Sequence, residues 1–258
     1  MPGYNVAMKK WLVIVWLAIT AAIVAPDLYK FADEYGNIQD LAVELAGDAK
    51  TPHELASAYS LAIRPRLMEK PRDGSYDSRN RPFLRATAWE TWTTQNGLCG
   101  EASRVIISLL ISQGVPATRV NMIGPRFVHT AVGYWDGEDW YLVDSSGAPA
   151  KFREWSQKNK LPLSELVKMR FAAGGGTPIQ VNNPFFSRFS YFNWARVFKW
   201  GEINQRVPFP VPITFLIENP PLFTGLLKLA GAIVVLLAGW VVVSRRRDRK
   251  PSSVTSSA

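Results

Sequence analysis

The only cysteine of the chain, Cys99, stands in Asn96-Gly97-Leu98-Cys99-Gly100-Glu101-Ala102-Ser103, at the start of a helical pattern. His129, one of two histidines, follows inside a strand-like run, and Asp144 closes the next such run. Nucleophile, base and carboxylate thus come in that order within 46 residues, from 99 to 144. A thiol at a helix N-terminus ionises more readily, because unpaired N–H groups and the helix dipole favour the thiolate. An imidazole can take its proton, and a carboxylate can hold that imidazole in the useful tautomer. The set is suited to attack on an amide or ester carbonyl.

Charge and cysteine content exclude several other classes. The net charge of +9 resides mostly in the chain ends. The run Arg245-Arg246-Arg247-Asp248-Arg249-Lys250 carries four of the nine and Lys9-Lys10 two, which leaves three for everything between. Such a balance requires no polyanionic partner, so no nucleic acid is expected. A single cysteine rules out an intramolecular disulfide framework and a Cys-rich zinc site. No metal and no cofactor are expected.

Two apolar runs set the organisation. Leu222 to Val243 has 22 residues, one charge (Lys228) and a basic flank. At ~1.5 Å per residue it is long enough to cross a hydrocarbon core of roughly 30 Å. Lys228 lies near its outer end, where it can snorkel to the headgroups. Trp11 to Ala25 is a shorter run behind Lys9 and Lys10 and reads either as a signal anchor or as a signal peptide. The positive-inside rule places both basic flanks in the cytoplasm and the middle of the chain on the extracytoplasmic side of the inner membrane. The expected divisions are residues 1–25, signal anchor or signal peptide; 26–50, helical lead-in; 51–150, core; 151–221, aromatic-rich extension; 222–243, transmembrane helix; and 244–258, basic cytoplasmic tail.

Within the middle, Thr51-Pro52-His53-Glu54 is a capping box with proline at the first helical position, opening a helix to about Ile63. Residues 65–82 read as an irregular loop and 83–94 as partly helical, with Trp89 and Trp92. Leu98 to Gln113 is a helix with Val105, Ile106, Leu109 and Leu110 on one side and Gly114 as its stop. Ala117 to Ile123, Phe127 to Trp135 and Asp139 to Asp144 read as strands. Asp136-Gly137 marks a hairpin. A two-residue loop there pairs Trp135 with Glu138, and a four-residue loop pairing Tyr134 with Asp139 keeps the same register. Both set His129 opposite Asp144, on one face of the sheet. Another helix is expected over 155–169, and Gly174-Gly175-Gly176 reads as a hinge or turn. The aromatic and basic stretch 184–200 is expected to pack on the domain or lie at the headgroups. His53 is expected to be an exposed residue of a first helical turn.

Gly97-Leu98-Cys99-Gly100-Glu101-Ala102-Ser103, His129-Thr130-Ala131-Val132 and Trp140-Tyr141-Leu142-Val143-Asp144 together resemble the core of the transglutaminase-like superfamily, in a membrane-anchored, bacterial-type form. The resemblance covers roughly residues 51–147. It implies an α+β, papain-like core in which the helix bearing the nucleophile packs on an antiparallel sheet. It implies Cys99 as nucleophile, His129 as general base and then acid, and Asp144 as its orienter, working through a thioester. It also implies an oxyanion hole made by the cysteine N–H and an upstream side chain, with Gln95, Trp92 and Trp89 as candidates.

The resulting expectation is a membrane-tethered thiol acyl-transfer enzyme, a peptidase or amidase acting on an extracytoplasmic protein or peptide. A crosslinking transglutaminase and a catalytically silent membrane-anchored binding or scaffold module are the alternatives. The expected partners are a protein or peptide substrate and the lipid bilayer.

Overall fold

The computed structural model describes residues 3–67, 86–124, 127–138, 140–144, 180–182, 215–216 and 218–248. The expectations for residues 68–82, 155–169, 174–176 and 184–200 lie outside them. The chain divides into two compact units, one of Met1–Tyr29 with Thr224–Ala258 and the other of Lys30–Phe223.

Helix α1, Gly3–Ala46, runs through Pro26 without a break. The expected membrane segment and helical lead-in are therefore one element. Its 44 residues span roughly 66 Å at ~1.5 Å each, about twice a bilayer core. The two parts bury different surfaces. Trp11, Leu12, Ile14, Leu17 and Ile19 are exposed, whereas Ile38, Leu41 and Ala42 belong to the core of the larger unit.

Helix α2, Pro52–Leu67, opens on the predicted capping box. The Glu54 N–H donates to Thr51 Oγ1 at 3.3 Å, and the Thr51 N–H donates to Glu54 Oε2 at 2.9 Å. It continues through Pro65, four residues beyond the predicted end. Helix α3 is Ala88–Thr94 and α4 is Cys99–Ser112, closed by Gly114 at φ 74°.

Strands β1 (Ala117–Gly124), β2 (Phe127–Trp135), β3 (Trp140–Val143) and β4 (Gln180–Asn182) form an antiparallel sheet in the order β3-β2-β1-β4. Helix α4 is the centre of the larger unit. It is buried continuously from Gly100 to Leu110, not on one side alone. A helix enclosed on all sides is a core helix, and α4 packs on α2, α3, β1 and β2.

Helix α5, Pro220–Asp248, is the last element among the described residues. Together, α1 and α5 supply two stretches long and apolar enough to cross a membrane. In the smaller unit the Lys228 ammonium lies 2.6 Å from Asp27 Oδ2. Lys228 therefore meets a carboxylate where snorkelling was expected. Gly225 allows this approach: a Cβ there would stand 3.1 Å from Leu28 Cδ2 and 3.3 Å from Asp27 Cβ.

Candidate active site

Cys99 is the first residue of α4, and its side chain is half-buried. Its position is set by the turn from α3. Thr87 caps α3 through a second capping box: the Glu90 N–H donates to Thr87 Oγ1 at 3.1 Å and the Thr87 N–H to Glu90 Oε2 at 2.9 Å. Gln95 ends the helix in the left-handed region, at φ 55°. Gly97 is then pressed against α4 so closely that a Cβ would meet Glu101 Cβ at 2.8 Å and Thr91 Cγ2 at 3.2 Å. The Glu101 carboxylate accepts the Leu98 N–H at 3.1 Å, and the Ala102 N–H donates to the Leu98 carbonyl at 2.9 Å. A carboxylate in the first turn satisfies one of the donors that a helix start leaves over and complements the dipole.

The helix is joined to the histidine strand one turn further on. Ser103 Oγ donates to the Thr130 carbonyl at 3.1 Å. Ser103 follows Cys99 by four residues, a rise of roughly 6 Å, and Thr130 is the residue after His129. His129 itself lies in β2, paired with Met122 of β1.

Asp144 follows β3 directly and is 2 % exposed. Its carbonyl accepts Ser60 Oγ of α2 at 2.9 Å. The register between β2 and β3 differs from the expected one. Trp135 pairs with Trp140, Tyr134 with Tyr141 and Val132 with Val143. Continued by one residue, it sets Asp144 level with Ala131, two residues along from His129. The cause is in the turn: Asp136 Oδ1 accepts the Glu138 N–H at 3.0 Å, and Gly137 takes φ 113°. An aspartate side chain that captures the amide two residues on builds a turn of its own. Glu138 is thereby kept in the turn and withheld from Trp135, which pairs with Trp140 instead. An even offset preserves the parity of the pleat.

The three oxyanion-hole candidates are placed differently. Gln95 is the cap residue of α3, half-buried, four positions before Cys99. Trp92 is packed into the core, with the Arg66 guanidinium 4.0 Å above its ring. Trp89 is packed against the same core from its edge.

Sequence reading missed four residues near the site: Ser60, Ser103, Arg119 and Glu218. Ser103 was legible, since it is one turn from Cys99 on the same helix. The other three depend on partners 84 to 114 residues apart. His53 also departs from expectation. It is half-buried, and its Nδ1 shares a hydrogen bond of 2.5 Å with the Tyr134 hydroxyl. Burial pushes the Tyr134 phenol up, with Asp136 and Tyr141 adding to the shift.

Comparison with known protein families and with curated proteins returns no match. Two solved structures are similar over part of the chain. One is a candidate cysteine protease from Cytophaga hutchinsonii, at 20% identity and TM-score 0.36 over 43% of this chain and 37% of that one. The other is a transglutaminase, at 13% identity and TM-score 0.36 over 50% of this chain and 36% of that one. The chain thus spans little more than a third of the length of either.

Proposed function

We propose that this protein is a membrane-tethered thiol acyl-transfer enzyme, with Cys99 as nucleophile, His129 as general base and then acid, and Asp144 as the carboxylate that orients the imidazole. The observation that carries the reading is the hydrogen bond from Ser103 to the Thr130 carbonyl. It ties the helix that begins with Cys99 to the strand position beside His129. A half-buried thiol at a helix start is reachable by substrate and electrostatically favoured as thiolate. The thiolate would attack an amide carbonyl, His129 would protonate the leaving amine, and water would release the acyl group from the thioester. The cysteine N–H, with Gln95, Trp92 or Trp89, would face the developing oxyanion. The domain would work on the extracytoplasmic side of the inner membrane on a protein or peptide. An amine acceptor in place of water would make the same site a crosslinking transglutaminase.

The test follows alkylation of Cys99 by iodoacetamide from acid to alkaline pH, in the full-length detergent-solubilised protein with and without His129→Ala. Rapid labelling at neutral pH that disappears in the variant is the expected result. An ordinary thiol profile in both proteins sinks the catalytic reading and leaves a membrane-anchored binding module. Incorporation of a labelled amine into a peptide substrate separates transfer from hydrolysis.

A further inference from the structure

A buried charge cluster lies beside the first turn of α4. Arg119 of β1 donates to Glu218 through Nε to Oε1 and Nη2 to Oε2, both at 2.7 Å. Arg104 of α4 donates to the same carboxylate through Nε at 3.0 Å, and through Nη1 to the Ala86 carbonyl just before the cap of α3. The side chains of Arg104, Arg119 and Glu218 are 1%, 5% and 3% exposed. The remaining donor of Arg119, Nη1, meets the Gly100 carbonyl at 2.8 Å, on the residue after Cys99.

We propose that Arg119 is a positioning residue for Cys99: its guanidinium fixes the first turn of α4 and places positive charge beside the thiol, while Glu218 sets how much of that charge the thiol meets. The inference rests on Cys99 acting as a thiolate. A bidentate arginine–carboxylate pair has a fixed plane, so the Gly100 carbonyl is held by a group that cannot swing away. Burial works against the Arg119 charge, but Glu218 first, then Glu101 and a Cys99 thiolate, hold the guanidinium above its ordinary range. Attraction is mutual, so the same interaction favours the thiolate. Two guanidinium groups share one carboxylate here, and Glu101 supplies the second negative charge. Among the described residues, the nearby titratable groups include Glu34 of α1, which interacts with Thr87, Lys30 and Glu90. Glu90 of α3 is engaged by the Thr87 N–H and by Lys30 at 2.6 Å. On β2, His129 occupies the register position opposite Met122. Nothing in the motif around Cys99 announces Arg119, and Glu218 lies two residues before α5.

The experiment is the pH profile of Cys99 alkylation in the full-length protein carrying Arg119→Gln, Arg119→Lys, Glu218→Gln or Glu218→Asp. In Arg119→Gln the midpoint should rise by about one pH unit, slowing labelling about tenfold below it, and Arg119→Lys, which keeps the charge but not the planar fork, should restore only part of the loss. Glu218→Gln, which uncovers the guanidinium charge, should move the midpoint the other way. A merely structural cluster would lower thermal stability and leave every midpoint with the wild type, and that result overturns the proposal. Should the Gln variants fail to fold, Glu218→Asp decides alone, since it keeps the charge but withdraws it by one methylene. A lowered midpoint supports the proposal and an unchanged one overturns it. A depressed, His129-dependent profile that persists in Arg119→Gln defeats this proposal alone. An ordinary wild-type profile unaffected by His129→Ala defeats the catalytic reading, and the Arg119 and Glu218 shifts remain measurable on the same thiol.

Discussion

Two ionic arrangements in the larger unit use the same chemistry in different surroundings. Lys30 meets Glu90 at 2.6 Å with side chains 40% and 35% exposed, and it also reaches Glu34 at 3.6 Å. Arg104, Arg119 and Glu218 are almost wholly buried. At the surface, water already solvates both partners, so pairing adds little. In the interior, water is gone, and the desolvation cost is offset only while every charge keeps its partner. The exposed pair is therefore dispensable, whereas the buried cluster cannot lose its one shared carboxylate, Glu218, without stranding two guanidinium groups.

The largest effect should come from Glu218→Ala, which leaves two guanidinium groups unpaired in the interior. Breaking such a cluster costs about 3–5 kcal/mol, measured as a loss of thermal or denaturant stability. Its pH dependence has a definite sign. Burial alone would raise the Glu218 carboxyl, but Arg119 and then Arg104 hold it at about 2, against an ordinary value of 4.5. Its contribution is thus fully present above 4.5 and is lost as pH falls toward 2. Glu218→Gln should flatten the stability profile across that window.

A smaller effect sharpens the contrast by separating packing from charge. Gly97→Ala introduces a Cβ 2.8 Å from Glu101 Cβ, where backbone or helix must shift. Overpacking of this kind costs roughly 1–3 kcal/mol. Because the loss is steric, it should be insensitive to salt when followed by thermal unfolding.

The smallest effect belongs to Lys30→Met. The variant loses the exposed pair with Glu90 and one neighbour of the more buried Glu34, and should change stability by about 1 kcal/mol, a difference that shrinks as salt is added. A loss as large as that of Glu218→Ala would mean that exposure does not govern the two sites.

The same division between near and distant partners decides how much was legible in the sequence. The capping box at Thr51, the start of α4 at Cys99 and the stop at Gly114 were read correctly because each is settled within a few residues. Strand β2 was placed at its observed limits for the same reason. The β2–β3 register was not, because an Asp136 side chain captured a backbone amide that the hairpin rule assigns to the ladder. The burial of α4 on every side escaped a reading by periodicity, since Ser103, Arg104 and Ser108 look like the residues of a solvated face. Their hidden partners explain two of them: Ser103 meets a strand carbonyl, and Arg104 meets a carboxylate 114 residues away. His53 was misjudged likewise, because Tyr134 is 81 residues off. Of the candidate site, Cys99 was placed at a helix start and Asp144 at a strand end. Ser60, whose hydroxyl holds the Asp144 carbonyl, lies 84 residues away and is evident only in the fold, as is the strand carbonyl of Thr130 that Ser103 meets.

The place of Glu218 in the chain has a consequence for biogenesis. A ribosome releases Arg104 and Arg119 well before their shared carboxylate, which follows 114 and 99 residues later. At ~5–20 residues per second that is a delay of roughly 5–20 s. Through this interval the nascent domain holds two cations that its interior cannot accept, so the centre of the larger unit must close late. The closing residue is made just before the helix that can enter the bilayer. Completion of the domain and synthesis of the apolar helix α5 are thus consecutive events.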